Sequence, residues 1–287
     1  VAVYNPWNIA DQVYHPFNWR GFFDFGCGAF GDMACHTMNL PFRGLELGTA
    51  TSAELVQVED KDPQNIAFPM RTKVKMIYAA RESKVRPGVK LPEVALYWYD
   101  GNLKPSADLM PQDIAANLAN SDVPGEKVKK TGVPHTGCLI IGTKGILCST
   151  NDYGGSAYIA LKGEKKVQDI MKHPAAVAVP RQIPYRCDSE DKVVAGGAGT
   201  GAAAVLADGH YAEFIDAIRG VGPVYAETNS RCYSDVDYSI PQMEGILVGC
   251  VAQRIGGIVK WDCKTQSFDR KDANELVRPY IRKGFEF

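Results

Sequence analysis

Hydrophobic and polar positions alternate in the middle of the chain, and this pattern predicts β-strands. Residues 71–78 alternate basic with less polar side chains, and residues 93–99 are rich in aromatic and apolar side chains before an Asp-Gly turn. Apolar segments at 139–141 and 146–148 flank a Gly-Thr-Lys-Gly sequence, which predicts a hairpin. We therefore expect mostly antiparallel sheet in this region.

Segments with helical spacing lie on both sides of the predicted sheet. Residues 32–47 predict a helix that ends at a glycine, and residues 210–219 and 241–254 predict two more. Residues 111–120 fit a short helix, and residues 258–261 predict a final strand. Neither a repeat nor a Ser/Gly-rich linker divides the chain into independent cores.

The composition fits a folded globular protein, and the charge argues against a nucleic-acid partner. The 287 residues are 45% hydrophobic and 23% charged, with a net charge of -1. No segment approaches the ~20 apolar residues of a membrane-spanning helix, and the N-terminus lacks the features of a signal peptide. We therefore expect a soluble protein without a membrane partner. The start at Val1, without an initiating Met, suggests removal of an upstream segment.

Eight cysteines are spread along the chain, and no two have the C-x-x-C spacing of a zinc ribbon or a redox motif. Several lie in apolar segments, such as Cys138 and Cys250, which is typical of small buried hydrophobic residues. We therefore expect thiols rather than disulfides, and no structural zinc. Thiols favour a reducing compartment.

A glycine-rich segment at 196–201 resembles the turn that binds a dinucleotide pyrophosphate. Such a turn needs a buried strand before it, a helix after it, and a second parallel strand that ends in an acidic residue. Here the alanine-rich residues reach Asp208 after about one helical turn, and the next segment is another helix. The context favours a flexible loop over a nucleotide site.

Candidate chemistry is concentrated near the N-terminus, where glycines precede Asp32 and His36. Their spacing places both side chains on one face of a helix. A carboxylate beside an imidazole can fix its tautomer and raise its basicity, so His36 could exchange a proton with a substrate hydroxyl. The alternative is a buried histidine that Asp32 satisfies for structural reasons. A metal site would need further ligands, for which His15 and Asp24 are the nearby candidates.

The residues before this helix combine aromatic, cationic and hydrogen-bonding side chains, as sugar sites do. Aromatic faces stack on apolar sugar faces, while Asn, Asp, Arg and His side chains bind hydroxyl groups. The alternative is a plain aromatic core with Arg20 in solvent. The candidate pocket residues are Tyr14, His15, Trp19 and Arg20.

These residues resemble the glucose-fructose oxidoreductase / inositol dehydrogenase family of NAD(P)-dependent oxidoreductases. Members of one branch carry a similar Tyr-His-Pro-Phe-Asn-Trp-Arg-Gly segment before Gly-Asp-Met-Ala-Cys-His, which here are residues 14–21 and 31–36. The likeness spans nearly the whole chain, although the loop from about 182 to 207 departs from the family pattern. Further similar segments lie at 96–101, 141–145, 241–254, 260–262 and 280–285.

The resemblance implies an α/β fold of the α+β type, with a large open, predominantly antiparallel β-sheet and helices packed on one face. It implies that residues 1–287 form the C-terminal substrate-binding and oligomerisation domain, whereas an N-terminal Rossmann domain, absent from this chain, binds most of the NAD or NADP. Asp32 and His36 match the family's Asp and His. The family's Glu-Lys-Pro motif, whose Lys works with them, does not occur in the 287 residues.

We therefore predict the substrate-binding half of an NAD(P)-dependent oxidoreductase that acts on a sugar or polyol hydroxyl and needs a Rossmann half from the same precursor or another chain. His36 would be the general acid/base, and Asp32 would orient it or bind a neighbouring hydroxyl. The pocket would be lined by Trp19 and Arg20, with Tyr14 and His15. The alternatives are an NAD-dependent enzyme that cleaves glycosidic bonds by transient oxidation, and a non-catalytic binding or scaffolding domain.

The resemblance also bears on partners and compartment. It implies a homo-oligomer formed through the sheet, and no metal is expected. Relatives in this branch are often exported, which suggests a periplasmic location, whereas the predicted thiols favour the cytoplasm. The two indications oppose each other, so the compartment stays open, as does the choice between NAD and NADP.

Overall fold

The computed structural model describes residues 16–105, 136–154, 157–164, 166–179, 213–222, 224–225, 228–278 and 281–285. A 3-10 turn spans Pro16–Gly21 and residues 213–218 are helical. The other helices are α1 (Gly28–Thr37), α2 (Asn39–Gly44), α3 (Pro174–Val177), α4 (Val236–Ile255) and α5 (Lys271–Asn274). The strands are β1 (Ser52–Glu59), β2 (Arg71–Tyr78), β3 (Arg81–Glu82), β4 (Lys90–Leu91), β5 (Val94–Tyr99), β6 (Cys138–Gly142), β7 (Gly145–Ser149), β8 (Ala157–Leu161), β9 (Gln168–Asp169), β10 (Ile258–Asp262) and β11 (Ser267–Phe268).

The largest sheet has five strands in the order β11-β10-β1-β2-β5, and each neighbouring pair is antiparallel. The alternation predicted at 71–78 is confirmed, because Thr72, Val74, Met76 and Tyr78 are fully buried on one face of β2. The basic residues of β2 occupy the other face. The predicted strands at 93–99 and 258–261 are β5 and β10.

α4 packs on the inner face of this sheet with α1 against it, and the main hydrophobic core lies between these helices and the sheet. α4 contacts β1, β2 and β10, and α1 packs on α4. Phe30 of α1 is fully buried, and Gly249 of α4 permits its approach, since a Cβ there would lie 2.2 Å from the Phe30 ring. The predicted fold is therefore confirmed: a mixed α/β structure with a large antiparallel sheet and helices on one face.

A second, four-stranded antiparallel sheet has the order β6-β7-β8-β9. The predicted hairpin is confirmed as β6 and β7, and a small separate core forms around Ile146, Cys148 and Ala160. A buried imidazole stabilises the end of this sheet. His173 accepts a hydrogen bond from the amide of Ala175 and contacts the carboxylate of Glu164 at 3.0 Å.

Two helix predictions differ from the structure at their boundaries. The predicted helix 32–47 is two helices, α1 and α2, because Pro41 has no N–H to donate to the carbonyl group of Thr37. The predicted helix 241–254 begins earlier in the structure, because α4 starts at Val236. Asp235 caps its N-terminus, where the Asp235 side chain accepts a hydrogen bond from the amide of Tyr238. Within the described ranges, no helix combines the length and apolar character needed to cross a bilayer.

The predictions at 111–120 and 196–201 lie outside the described residues, as does the start of the predicted helix 210–219. The seven cysteines that the structure describes are thiols rather than disulfides. This agrees with the thiols predicted from the sequence for those seven positions.

Candidate functional site

A tight loop between the 3-10 turn and α1 brings Arg20 next to the helix. The amide groups of Phe25 and Gly26 both donate to the carbonyl group of Phe22, which folds the chain back on itself. Gly26 is required by this approach, since a Cβ at that position would lie 2.5 Å from the Cα of Arg20. The guanidinium of Arg20 therefore lies above the first turns of α1.

Arg20 forms an ion pair with Asp32 on the solvent-facing side of α1. His36 lies one helical turn further on and is also exposed, so the two predicted residues share a face as expected. Among the described residues, Asp32 bonds to Arg20, and no hydrogen bond joins Asp32 to His36. The predicted role of Asp32 in orienting the imidazole stays a prediction.

The imidazole of His36 contacts Tyr153, a residue that the sequence motifs do not indicate. The two rings meet edge to face with their centroids 5.2 Å apart, and Tyr153 is 59% exposed. Because Tyr153 comes from the loop after β7, the second sheet contributes directly to the site. A phenol hydroxyl can donate or accept a hydrogen bond, which adds a polar group beside the imidazole.

Asp152 attaches this loop to the C-terminal end of α1. Its carboxylate accepts hydrogen bonds from the hydroxyl groups of Thr37, at 3.4 Å, and of Thr136. Asn151 turns the loop, since its side chain accepts from the amide of Tyr153 at 3.0 Å. These polar contacts hold Tyr153 against His36.

Three exposed aromatic rings belong to the same 3-10 turn and loop as Arg20. Phe17, Trp19 and Phe25 are each between 46% and 64% exposed. The guanidinium of Arg20 stacks over the Phe17 ring at 4.5 Å, and the rings of Trp19 and Phe25 are 6.0 Å apart. These rings therefore do not form the plain aromatic core that the sequence alone allowed, and the exposed parts of the Trp19 and Phe25 rings are open to a ligand.

Two cysteines lie close to Asp32, and neither is activated. Burial chiefly raises the pKa of Cys27 and of Cys35, and the negative charge of Asp32 raises both further. The Cys35 thiol also donates to the carbonyl group of Asp32 at 3.4 Å. Because the thiolate is the nucleophilic form, these two side chains are poor candidates for covalent chemistry at neutral pH.

Of the six predicted site residues, the structure pairs Arg20 with Asp32 and places His36 one turn further along α1, while Trp19 next to Arg20 is 46% exposed. Tyr14 and His15 lie outside the described residues. Across the described ranges, no three His, Cys, Asp or Glu side chains form a group that could hold a metal ion.

Tyr153 and Asp152 are the site residues that sequence reasoning does not find. The signal available in the sequence is the polar Asn-Asp-Tyr-Gly turn directly after β7, a position where loops often carry function. Its contact with α1 depends on tertiary structure, so the turn alone could not indicate it.

Comparison with protein-family models and with curated proteins finds no match to this chain. The likeness to the oxidoreductase family therefore rests on the motifs themselves.

Proposed function

We propose that the exposed face of α1 binds a sugar or polyol hydroxyl and exchanges a proton with it, as the substrate half of an NAD(P)-dependent oxidoreductase. The observation that carries the proposal is the combination of three kinds of group on the exposed side of α1 and on the loop that precedes it. His36 is a proton-transfer group, Arg20 and Asp32 form a paired hydrogen-bonding set, and Trp19 and Phe25 offer exposed aromatic faces. Sugar recognition uses this combination.

His36 acts on the reacting hydroxyl in this proposal. A neutral imidazole accepts the hydroxyl proton as the alcohol is oxidised, and its cation returns the proton in the reverse direction. Tyr153 restricts the orientation of the ring through the edge-to-face contact. The Arg20–Asp32 pair supplies both donors and acceptors to neighbouring hydroxyl groups, because a carboxylate accepts while a guanidinium donates.

The cofactor implied by the resemblance is NAD or NADP, held mainly by a Rossmann domain from outside residues 1–287. The described strands pair antiparallel, whereas a dinucleotide site uses a parallel βαβ unit. The exposed face at Asp32 and His36 is open to a nicotinamide brought by another domain, so these residues fit a divided site. When bound, the cofactor would supply the hydride acceptor, and this chain the proton acceptor.

The proposal is tested by assaying alcohol oxidation with this chain and its Rossmann partner together. The variant His36→Ala should lose on the order of 100-fold in rate, the usual contribution of a general base. The variant Lys264→Ala, in the exposed turn between β10 and β11, is the control and should keep full activity. An unchanged rate in His36→Ala, or tight NAD(P) binding by the 287-residue chain alone, would contradict the proposal.

A non-catalytic sugar-binding domain is the second candidate, and one observation favours it. Among the described residues, Asp32 is bonded to Arg20 rather than to His36, so a carboxylate–imidazole dyad is not assembled. Under this alternative, sugar binding would survive in His36→Ala and the partner's activity would not change. Bond cleavage without net NADH would instead favour the glycoside-cleaving reaction.

The outer face of the five-stranded sheet supports the proposed homo-oligomer. Lys73 lies 5.3 Å and 5.4 Å from the ring centroids of Tyr97 and Tyr99, and Lys75 lies 5.9 Å from that of Tyr97. Cation–π pairs of this kind give a surface that is partly aromatic and partly basic. Sedimentation of Tyr97→Glu against the unaltered chain tests whether this face joins subunits.

A further inference from the structure

A cavity beside α4 adjoins the loop before α1 and is not used by the proposed function. It encloses about 300 Å³ between α4, the loop before α1, and the chain after β11. Most of its wall is apolar or aromatic. These wall residues are Phe23, Phe68, Leu247, Val248, Val251, Trp261, Phe268, Leu276 and Val277. A volume of this size suits a small ligand rather than a nucleotide.

The cavity wall carries one acidic and one cationic side chain, both from α4. Glu244 and Arg254 both line it, and ten residues of helix place them about 15 Å apart along α4. Leu247 and Val251 lie between them on the same helical face. An occupant that contacts Arg254 and extends toward Glu244 would therefore lay an apolar body against Leu247 and Val251.

The acidic side chain, Glu244, already has hydrogen-bond partners within the protein. One carboxylate oxygen of Glu244 accepts from the indole N–H of Trp261 at 2.7 Å, and the other accepts from the Thr49 hydroxyl at 3.0 Å. Both bonds tie the carboxylate to the protein, so Glu244 is a weak attractor for a cationic ligand.

The cationic side chain, Arg254, has unused hydrogen-bonding capacity. The guanidinium of Arg254 stacks over the Phe23 ring at 4.6 Å, and no acceptor among the described residues bonds to it. Stacking occupies only the face of a guanidinium, so its in-plane N–H groups stay available for a bidentate contact. The thiols of Cys27 and Cys250 also line the cavity, and burial raises the pKa of both, so they do not neutralise the cation.

We infer that this cavity binds an amphipathic monocarboxylate, with its carboxylate on Arg254 and its apolar tail along Leu247 and Val251 toward Trp261. One unpaired guanidinium matches one carboxylate, and bidentate pairing of these groups is geometrically specific. The apolar wall excludes a polyanion such as a phosphorylated sugar, because most of such a ligand would lose its hydration without gaining a partner.

Titration of the 287-residue chain with decanoate, followed by calorimetry, tests this inference. Decanoate should bind saturably, and decanol, which has the same tail without the charge, should bind at least about tenfold more weakly. Arg254→Gln should weaken decanoate binding by a similar factor and leave decanol binding unchanged. Arg71→Gln, which removes an exposed guanidinium from the sheet, is the matched control and should bind decanoate normally.

A second variant protects the test against a folding effect. Leu247 is 48% exposed at the rim, so Leu247→Trp can be accommodated while its larger side chain blocks the tail, and it should weaken both ligands equally. Three results would overturn the assignment: no saturable binding of decanoate, equal affinity for decanol, or unchanged affinity in Arg254→Gln. Dimerisation that Leu247→Asp abolishes, without decanoate binding, would assign this face to a second copy instead.

Discussion

Asp32 and Asp100 are both carboxylates held by hydrogen bonds, but they differ in their access to water. The Asp32 side chain is 44% exposed and has Arg20 as its partner. Asp100 is largely enclosed, accepts from the Thr72 hydroxyl at 2.9 Å and the Trp98 indole at 3.0 Å, and Thr72 in turn accepts from Gln253. An exposed pair can exchange its partner for a ligand, whereas an enclosed network joins the sheet to α4. The same residue type is thus a candidate binding group in one place and a structural one in the other.

The largest loss of stability is expected for variants at Asp100. Asp100→Ala should lower the free energy of unfolding by about 3 kcal/mol, because the buried Thr72 amide and Trp98 indole would lose their acceptor. Denaturant unfolding measures the change. A loss below about 0.5 kcal/mol, the range of ordinary surface substitutions, would mean that the network is not structural.

A substitution that disturbs the packing of α1 on α4 should cost nearly as much stability. Gly249→Ala places a methyl group 2.2 Å from the Phe30 ring, so the helices must separate, at a cost of about 2 kcal/mol. Gly44→Ala has no atom within 4 Å of the added Cβ and serves as the control in the same thermal unfolding measurement. Equal melting temperatures for the two variants would disprove close contact between α1 and α4.

A more modest change is expected in the pH dependence of stability. Burial raises the pKa of Asp100 above the ordinary value of 3.8, although hydrogen bonds from Trp98 and Thr72 oppose the shift. A folded-state pKa above the unfolded one means that folding takes up a proton between the two values. The contribution of protonated Asp100 to the free energy of unfolding is fully present below pH 3.8. It is lost as the pH rises through the pKa that Asp100 has in the folded state.

The control for that titration is Asp100→Asn, whose side chain at position 100 does not ionise. The stability of the unaltered chain relative to Asp100→Asn should fall as the pH rises from about 4. A difference that instead grows with pH would mean that the hydrogen bonds to the carboxylate outweigh its burial and lower the pKa of Asp100.

Stability should change least at Asp32. Asp32→Ala removes an exposed ion pair with Arg20, and such pairs contribute about 0.2–1 kcal/mol. Sugar binding should nevertheless weaken in the same variant, because the site loses its acceptor. A destabilisation as large as that of Asp100→Ala would contradict the distinction between the two carboxylates.

The fold is predictable from sequence where one pattern dominates locally. The alternation of β2 reflects one buried and one half-exposed face, so it is evident from residues 71–78. The break between α1 and α2 is harder to predict although Pro41 signals it, because helical spacing continues on either side. The early start of α4 is hidden because Pro241 is typical of a first helical turn, whereas it lies inside this helix.

The candidate site is predictable only where its members are neighbours in sequence. Asp32 and His36 lie one turn apart on a helix, so their shared face follows from spacing. The pairing of Arg20 with Asp32 depends on the loop that folds back at Gly26, and the contact of Tyr153 with His36 joins a helix to the second sheet. Local sequence patterns do not encode which distant elements meet, so neither contact could be predicted from the sequence.

Saturation-transfer NMR with glucose and inositol would decide whether the exposed face of α1 binds a sugar or polyol. Magnetisation should be transferred from the 287-residue chain to the ligand. Trp19→Ala should reduce the affinity for the ligand about tenfold, because ring stacking is lost. Phe285→Ala, which removes another exposed aromatic ring, should leave the affinity unchanged. Absence of transfer to either ligand, or an equal loss in both variants, would contradict sugar binding at this face.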